Sequence, residues 1–275
     1  ELVGLRAEVR SRETNLGRLA ADSTLWFATE FVNGLNGDED AENDVPFAID
    51  LALKNGGGIR STILGPDIRR LAIEEALAFD NKLSLVELTA AELLASLENA
   101  VSRYPALDGR FPQLAGVELV FDPFQPGVQD GVSSTTPSRI VRLAVTRAGG
   151  EVDVVVDEGV FQGDAARTFG LATNSFLLTG GDGYQAFKAI RDDENRPTFE
   201  TDLGEQDILE QYITSQFTDG CVEMPEPLEN PRVIILDRST RYHLWAAQFD
   251  LGEENTGIED DFNGDGRNNF TSYVF

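Results

Sequence analysis

Two short stretches set chemistry-bearing residues against runs of glycine. N-G-G-G-I-R, Asn55 to Arg60, follows the apolar run V-P-F-A-I-D-L-A-L-K, and F-L-L-T-G-G-D-G-Y, Phe176 to Tyr184, follows T-F-G-L-A-T-N-S. Glycine costs more to order than any other residue, so three in a row imply a close approach of backbone that a side chain would block. The first loop brings Asn55 and Arg60 to a strand end, with Gly57 and Gly58 as the points where backbone would pass nearest a ligand; the second brings Phe176 and Asp182. Strand ends and their loops are where ligand sites commonly form. Either loop alone is compatible with a structural turn. Together they supply donors, a carboxylate and an aromatic face, a set that suits a polar ligand with a flat ring and hydroxyl groups.

A third stretch has the order of a cation loop. In D-F-N-G-D-G-R-N-N the residues Asp261, Asn263 and Asp265 alternate, Gly266 follows, and Asn269 falls at the ninth position of an EF-hand-like series, a possible Ca²⁺ site. The twelfth position holds Ser272 where a bidentate glutamate normally closes the loop, so weak affinity is expected, and an acidic turn with no ion is an equal alternative. The chain has a single histidine, His243, beside an aromatic segment, and no role is assigned to it. Hydrolytic two-metal centres and most acid–base machinery draw on several histidines, so the reactive centre of any enzyme containing this chain is expected elsewhere. One cysteine, Cys221, cannot form an internal disulfide.

Charge narrows the partners further. With 48 acidic and 22 basic residues the 275-residue chain carries a formal charge of -26, which opposes binding to a nucleic-acid polymer or an anionic membrane surface. Its lysines are confined to Lys54, Lys82 and Lys188, so nearly all positive charge is arginine. No stretch approaches the roughly 20 apolar residues that a membrane-spanning helix needs.

The elements that must position these loops are legible in outline. Leu16, Leu19, Trp26, Phe27 and Phe31 recur at helical spacing and predict an amphipathic helix from Asn15 to about Asn33-Gly34, followed by the acidic loop G-D-E-D-A-E-N-D. A strand is predicted from Val45 to Lys54, a short helix over Ile68 to Ala76, and a strand over L-S-L-V-E-L around Val86. Thr89 with Glu92 three residues on forms a capping-box signature for a helix carrying Leu93, Leu94, Leu97 and Val101. Further strands are expected at Val117 to Phe121, Ile140 to Val145, Val152 to Val156 and Thr168 to Ala172, and helices at Tyr184 to Ile190 and Asp207 to Gln216. Helices and strands mix without regular alternation, which predicts an α+β fold with mixed β-sheets packed against helices. A boundary is expected near Asp237, giving a main domain over 1–237 and an extension over 238–275.

The ordered series N-G-G-G-I-R, F-D-N-K-L-S-L-V-E-L-T-A and T-N-S-F-L-L-T-G-G-D-G-Y-Q-A-F, preceded by S-R-E-T-N-L-G-R-L-A-A-D, resembles the C-terminal substrate-binding domain of 5'-nucleotidases, the group that includes UDP-sugar hydrolases and 2',3'-cyclic-nucleotide phosphodiesterases. The resemblance runs from about Leu5 to about Thr214. It implies that this domain grips a nucleoside or nucleotide and presents its phosphate to a separate N-terminal metallophosphoesterase domain of the same precursor, which holds divalent metals and a catalytic histidine. By motif, Phe176 and Phe79 would stack on opposite faces of the base, Asn55 would touch the base, Asp182 the ribose hydroxyls, and Arg12 and Arg60 the ribose or phosphate oxygens. The family carries proline before the second phenylalanine, and Ala78 stands there in this chain.

The metal motifs D-x-H and G-N-H-[DE] are absent from these residues, and the start at E-L-V-G-L-R, where an interdomain connection would lie, favours a catalytic half upstream. A non-catalytic nucleoside-binding or scaffold protein that kept the fold is the alternative. The resemblance, together with a tail like those that end many secreted bacterial proteins, implies an extracytoplasmic setting: periplasmic, secreted or cell-surface.

Overall fold

In the computed structural model, which describes residues 1–36 and 44–237, a short helix α1 (Arg6–Val9) leads into α2 (Asn15–Asn36), the longest element. Asn15 begins α2 where it was predicted, and the helix runs on to Asn36, whose side chain both donates to Val45 O and accepts from Val45 N–H. The chain then forms β1 (Ile49–Asn55), α3 (Arg70–Ala76), β2 (Lys82–Thr89), α4 (Ala90–Val101), β3 (Pro112–Ala115), β4 (Val117–Phe121), β5 (Ile140–Thr146), β6 (Val152–Asp157), β7 (Val160–Phe161) and β8 (Thr168–Asn174). After these come α5 (Ser175–Leu178), α6 (Gln185–Arg191), β9 (Thr198–Gly204), α7 (Glu205–Gln216) and β10 (Val233–Ile235). The capping box is realised: Thr89 Oγ1 accepts from Glu92 N–H at 3.2 Å and Glu92 Oε2 accepts from Thr89 N–H at 2.8 Å.

The strands make two sheets of five, ordered β3-β1-β8-β2-β9 and β10-β4-β5-β6-β7. In the first, β1 and β8 run parallel, whereas β3 lies antiparallel to β1, and β2 pairs antiparallel with both β8 and β9. Every residue of β1 is buried, as expected of a central strand covered on both faces. Ala21, Ala28 and Val32 of α2 and Ile208 of α7 pack against Ile49, Ala52, Leu83, Leu85, Ala115 and Ala172 of this sheet. The second sheet is antiparallel through β4, β5, β6 and β7, and β4 alternates buried Val117, Leu119 and Phe121 with exposed Glu118, the signature of a strand with one covered face. The chain crosses between sheets at Gly116, which has φ +73° and whose added Cβ would stand 2.3 Å from Asp50 O, so glycine is required on both counts.

These are the mixed sheets and packed helices of an α+β fold. Contacts group Glu1–Ile234 into one compact unit, and of a second unit beginning at Ile235 only residues 235–237 are described. The proposed Ca²⁺ ligands Asp261, Asn263, Asp265 and Asn269, together with His243 and most of the acidic loop, lie outside the described residues. No helix among the described residues is long and apolar enough to cross a membrane.

Candidate functional site

One end of the first sheet gathers the strand ends that carry the expected residues. Because β1 and β8 are parallel, both finish there, at Asn55 and Asn174, and the antiparallel partners β3 and β2 begin there; Asn55 lies opposite Pro112 and Asn174 opposite Leu83. A cavity of about 450 Å³ opens at this end. Its walls include Asn55, Gly57, Gly58 and Arg60 from the first glycine loop, Phe79 and Asn81 from the approach to β2, Leu107, Asp108 and Gly109 from the approach to β3, Phe176 and Asp182 from beyond β8, and Arg6 and Arg10 from the N-terminal helix region.

Seven of the eight expected binding residues thus meet in one place. The eighth, Arg12, is not among the residues lining the cavity. It lies past the end of α1 and pairs with Glu8 at 2.6 Å and with Glu226. The arginines that do reach the cavity from this region are Arg6 and Arg10, whose spacing of four puts them on one side of a helical turn. That spacing was visible in R-A-E-V-R and is the signal that would have separated them from Arg12.

Phe79 and Phe176 are 45% and 43% exposed, although phenylalanine in a core is normally covered, so both rings present a face to the cavity. Asn174 fixes the second one: its Oδ1 accepts from Leu177 N–H at 3.0 Å and caps α5, the turn carrying Phe176. The ring lies across Gly181, where an added Cβ would come within 2.5 Å of Phe176 Cζ. The guanidinium of Arg60 sits 5.6 Å from the centre of the Phe79 ring, a cation–π contact at the mouth.

Asp182 is held at the floor. It adopts φ 53°, a left-handed conformation that aspartate tolerates better than most residues, and its Oδ2 accepts from Asn55 Nδ2 at 2.6 Å. Burial pushes its carboxyl pKa up, the Asn55 hydrogen bond opposes this, and the nearby charge of Asp108 adds to the rise. Gly109 stands so close that an added Cβ would be 3.0 Å from Asp182 Oδ2. The buried Tyr184 next in the loop donates its hydroxyl to Arg110 O at 2.8 Å and anchors the turn.

The arginines are crowded against one another. Burial lowers the pKa of Arg10, and the charges of Arg6 and Arg60 lower it further. Its Nε is a buried donor with no partner among the described residues. The carboxylates of Asp182 and Asp108 oppose this pKa shift and offset part of the like-charge repulsion.

Part of the glycine run answers to the protein's own packing. An added Cβ at Gly56 would sit 2.0 Å from Val9 O, and one at Gly57 3.0 Å from Gly109 Cα. Gly56 and Gly57 let α1 and the loop before β3 close against the end of β1, whereas an added Cβ at Gly58 would meet only the Asn55 side chain, at 3.1 Å, and Gly57 and Gly58 both line the cavity. Among the described residues no three His, Cys, Asp or Glu side chains cluster as a metal site.

The model of the 5'-nucleotidase C-terminal domain family matches residues 3–189. The chain is 30% identical over 187 residues to the trifunctional nucleotide phosphoesterase of Bacillus subtilis, an alignment covering 68% of this chain and 10% of that protein. It is also 30% identical over 219 residues to 5'-nucleotidase of Rattus norvegicus, covering 78% and 33%. The 5'-nucleotidase precursor from Thermus thermophilus superposes with a TM-score of 0.64 at 30% identity, over 86% of this chain and 38% of that one. The chain therefore spans between a tenth and about two fifths of the length of these relatives. By its sequence match and its fold, the chain belongs to the 5'-nucleotidase C-terminal domain family.

Proposed function

We propose that this chain is the nucleotide-recognition domain of a 5'-nucleotidase-like phosphohydrolase. The observation that carries the reading is the unpartnered Nε of Arg10, flanked by Arg6 and Arg60, in a cavity that also holds two half-exposed phenylalanines and the half-buried Asp182. A nucleoside monophosphate has the matching parts. Its base stacks between Phe79 and Phe176, a contact worth about 1–3 kcal/mol per base and tolerant of base identity. Its ribose hydroxyls donate to the Asp182 carboxylate, and its phosphate oxygens accept from the three guanidiniums, whose fork geometry suits oxygen anions.

Ester hydrolysis falls in this reading to a metallophosphoesterase domain of the same precursor, where divalent metals supply Lewis acidity and an activated water. The residues of this chain bind and orient: the aromatic pair fixes the plane of the base, Asp182 the sugar, and the arginines the direction in which the phosphate leaves the cavity. An extracytoplasmic setting goes with it, and the relatives include a snake venom 5'-nucleotidase of Macrovipera lebetinus.

Titration calorimetry of the whole chain with AMP, adenosine and ribose 5-phosphate tests the assignment. AMP is expected to bind more tightly than adenosine, and Arg10→Met to bring the two together by removing the donor that meets the phosphate. Added divalent metal is expected to release no phosphate from AMP. Absence of binding by both AMP and adenosine, or metal-dependent hydrolysis by the purified chain, overturns it.

A further inference from the structure

Beneath the cavity lies an ion pair that the binding roles do not use. Lys54, on β1 immediately before Asn55, is fully buried and pairs with Glu205, the first residue of α7, itself 5% exposed. Removing two charges from water costs several kcal/mol per ion after relaxation, and an apolar pair of similar volume commonly packs at least as stably. The position of the pair suggests what it does instead.

Three donors converge on the Glu205 carboxylate. Oε1 accepts from Lys54 Nζ and from Asn174 Nδ2 at 3.0 Å, and Oε2 accepts from Asn81 Nδ2 at 3.2 Å. The backbone closes a second link, since Glu205 N–H donates to Asn81 O at 3.3 Å. An ionised carboxylate only accepts, so each asparagine facing it must turn its NH₂ inward. For Asn174 this leaves Oδ1 to cap the helix of Phe176, while Nδ2 also approaches Asn55 Oδ1 at 3.5 Å. Asn55 then has its own NH₂ free to donate to Asp182. For Asn81, which lines the cavity, the atom left over is Oδ1, an acceptor.

Resting on the nucleotide-binding reading, we infer that the Lys54–Glu205 pair is a positioning device that fixes the amide orientations of Asn81, Asn174 and Asn55, so that the cavity offers an acceptor to the base edge and favours bases bearing an exocyclic amino group over their keto counterparts. Lys54 holds Glu205 in its acceptor role and in place; Glu205 sets the amides; the amides set what the ligand meets. Charge in the interior thereby acts on specificity without touching any substrate atom.

The arrangement makes Glu205→Gln an inverting substitution. Lys54 and Asn174 share Oε1, so a carboxamide keeps its oxygen there and places its NH₂ at the position of Oε2. Asn81 must then turn, presenting Oδ1 to the new amide and NH₂ to the cavity. Adenosine and inosine differ at position 6 by an amino group against a carbonyl and at N1 by an acceptor against an N–H donor, and serve as the probes; the inference places Asn81 Oδ1 at position 6.

Calorimetry on the whole chain is expected to give adenosine about tenfold tighter than inosine, the effect of roughly one net hydrogen bond. In Glu205→Gln the ratio is expected to fall to one or below through a gain for inosine as well as a loss for adenosine, which a merely loosened fold would not produce. Asn81→Ala, at a partly exposed position, is expected to abolish the preference and carries the test if the glutamine variant does not fold. Equal affinity of the wild-type chain for both nucleosides, or a wild-type ratio retained in folded Glu205→Gln, overturns the positioning role while leaving the nucleoside site standing. Failure of both nucleosides to bind removes the site reading and this inference with it.

Discussion

The sheet β3-β1-β8-β2-β9 and the sheet β10-β4-β5-β6-β7 have the same number of strands, yet the cavity draws on the end of the first and takes nothing from strands β4 to β7. The difference lies in strand direction. In the first sheet one parallel pair, β1 with β8, brings two strand ends to the same side, and the antiparallel neighbours start their runs at that side too. Ligands of sheets with parallel strands are found outside their carboxyl ends for this reason. In the second sheet, successive antiparallel strands turn back on themselves, and β5, β6 and β7 are joined by short turns that contain Gly150 and Gly159 at positive φ. Such a meander gathers no converging polar ends. It provides covered surface: Phe121 of β4 is fully buried, with its ring 5.4 Å from Tyr104 and 6.4 Å from Phe111.

If the two sheets divide binding from support in this way, equivalent truncations should have opposite signatures. Phe121→Ala is expected to cost about 3–5 kcal/mol of folding stability, as for other buried phenylalanines, and to leave the nucleoside affinity of the folded fraction unchanged. Phe176→Ala is expected to lose about 1–3 kcal/mol of nucleoside binding, with a smaller change in stability because its ring is already half exposed. Urea unfolding monitored alongside calorimetry separates the two quantities. Unfolding by Phe176→Ala, with normal adenosine binding by what remains folded, would return the loop to a purely structural role.

Asp182→Asn sharpens the contrast within the site. Removing the charged acceptor is expected to weaken ribonucleosides by about 1.5–3 kcal/mol while sparing free bases, which have no hydroxyls to donate. Stability should move the other way. Burial raises the folded pKa of Asp182 above its ordinary value, so the stabilising contribution of this group is present below the unfolded pKa and is lost as pH rises through the folded one. At neutral pH the ionised group is a net burden on folding, and the asparagine variant is expected to equal or exceed the wild type there, with its advantage shrinking on acidification. Ribonucleoside affinity of the wild type should fall over the same window as the carboxylate becomes protonated. Denaturant midpoints and binding isotherms collected from about pH 3.5 to 7, a range that brackets the ordinary carboxylate value and the raised one, check both slopes; a flat stability difference with flat affinity would show that Asp182 does not titrate in the site.

The smallest effect belongs to the outer face of the second sheet. Arg142 bridges Glu118 at 2.7 Å and Asp157 at 2.8 Å across β4, β5 and β6, but the pairs are largely solvated. Arg142→Ala is expected to change stability by no more than about 1 kcal/mol and to leave AMP binding untouched. A loss of AMP affinity in this variant would show that the second sheet reaches the site after all.

Much of the molecule could be read before its structure. The helix starting at Asn15, the Thr89–Glu92 capping box and the strand Val117–Phe121 depend on periodicity and on hydrogen bonds between residues three or four apart, which local sequence encodes fully. The two glycine loops and their polar and aromatic residues were equally visible, and seven of the eight expected binding residues meet at the cavity. Short strands escaped notice: β3 begins at Pro112, a residue that argues against a strand interior but is tolerated at a first position, and β9 carries Glu200 and Asp202 in a polar sequence.

Other features exist only through contacts between distant segments. Arg10 rather than Arg12 faces the cavity because the end of α1 turns away at that point and Glu226, far along the chain, returns to hold Arg12. Lys54 and Glu205 read separately as ordinary charged residues, and nothing local indicates that both are buried or that three asparagines will be ordered by them. The elements, their caps and the identity of the loops are written locally, since they rest on interactions within a few residues. Tertiary structure decided which arginines converge, what the glycines make room for and which way each amide points, because a register between strands, and not any local preference, brings those groups within hydrogen-bonding distance.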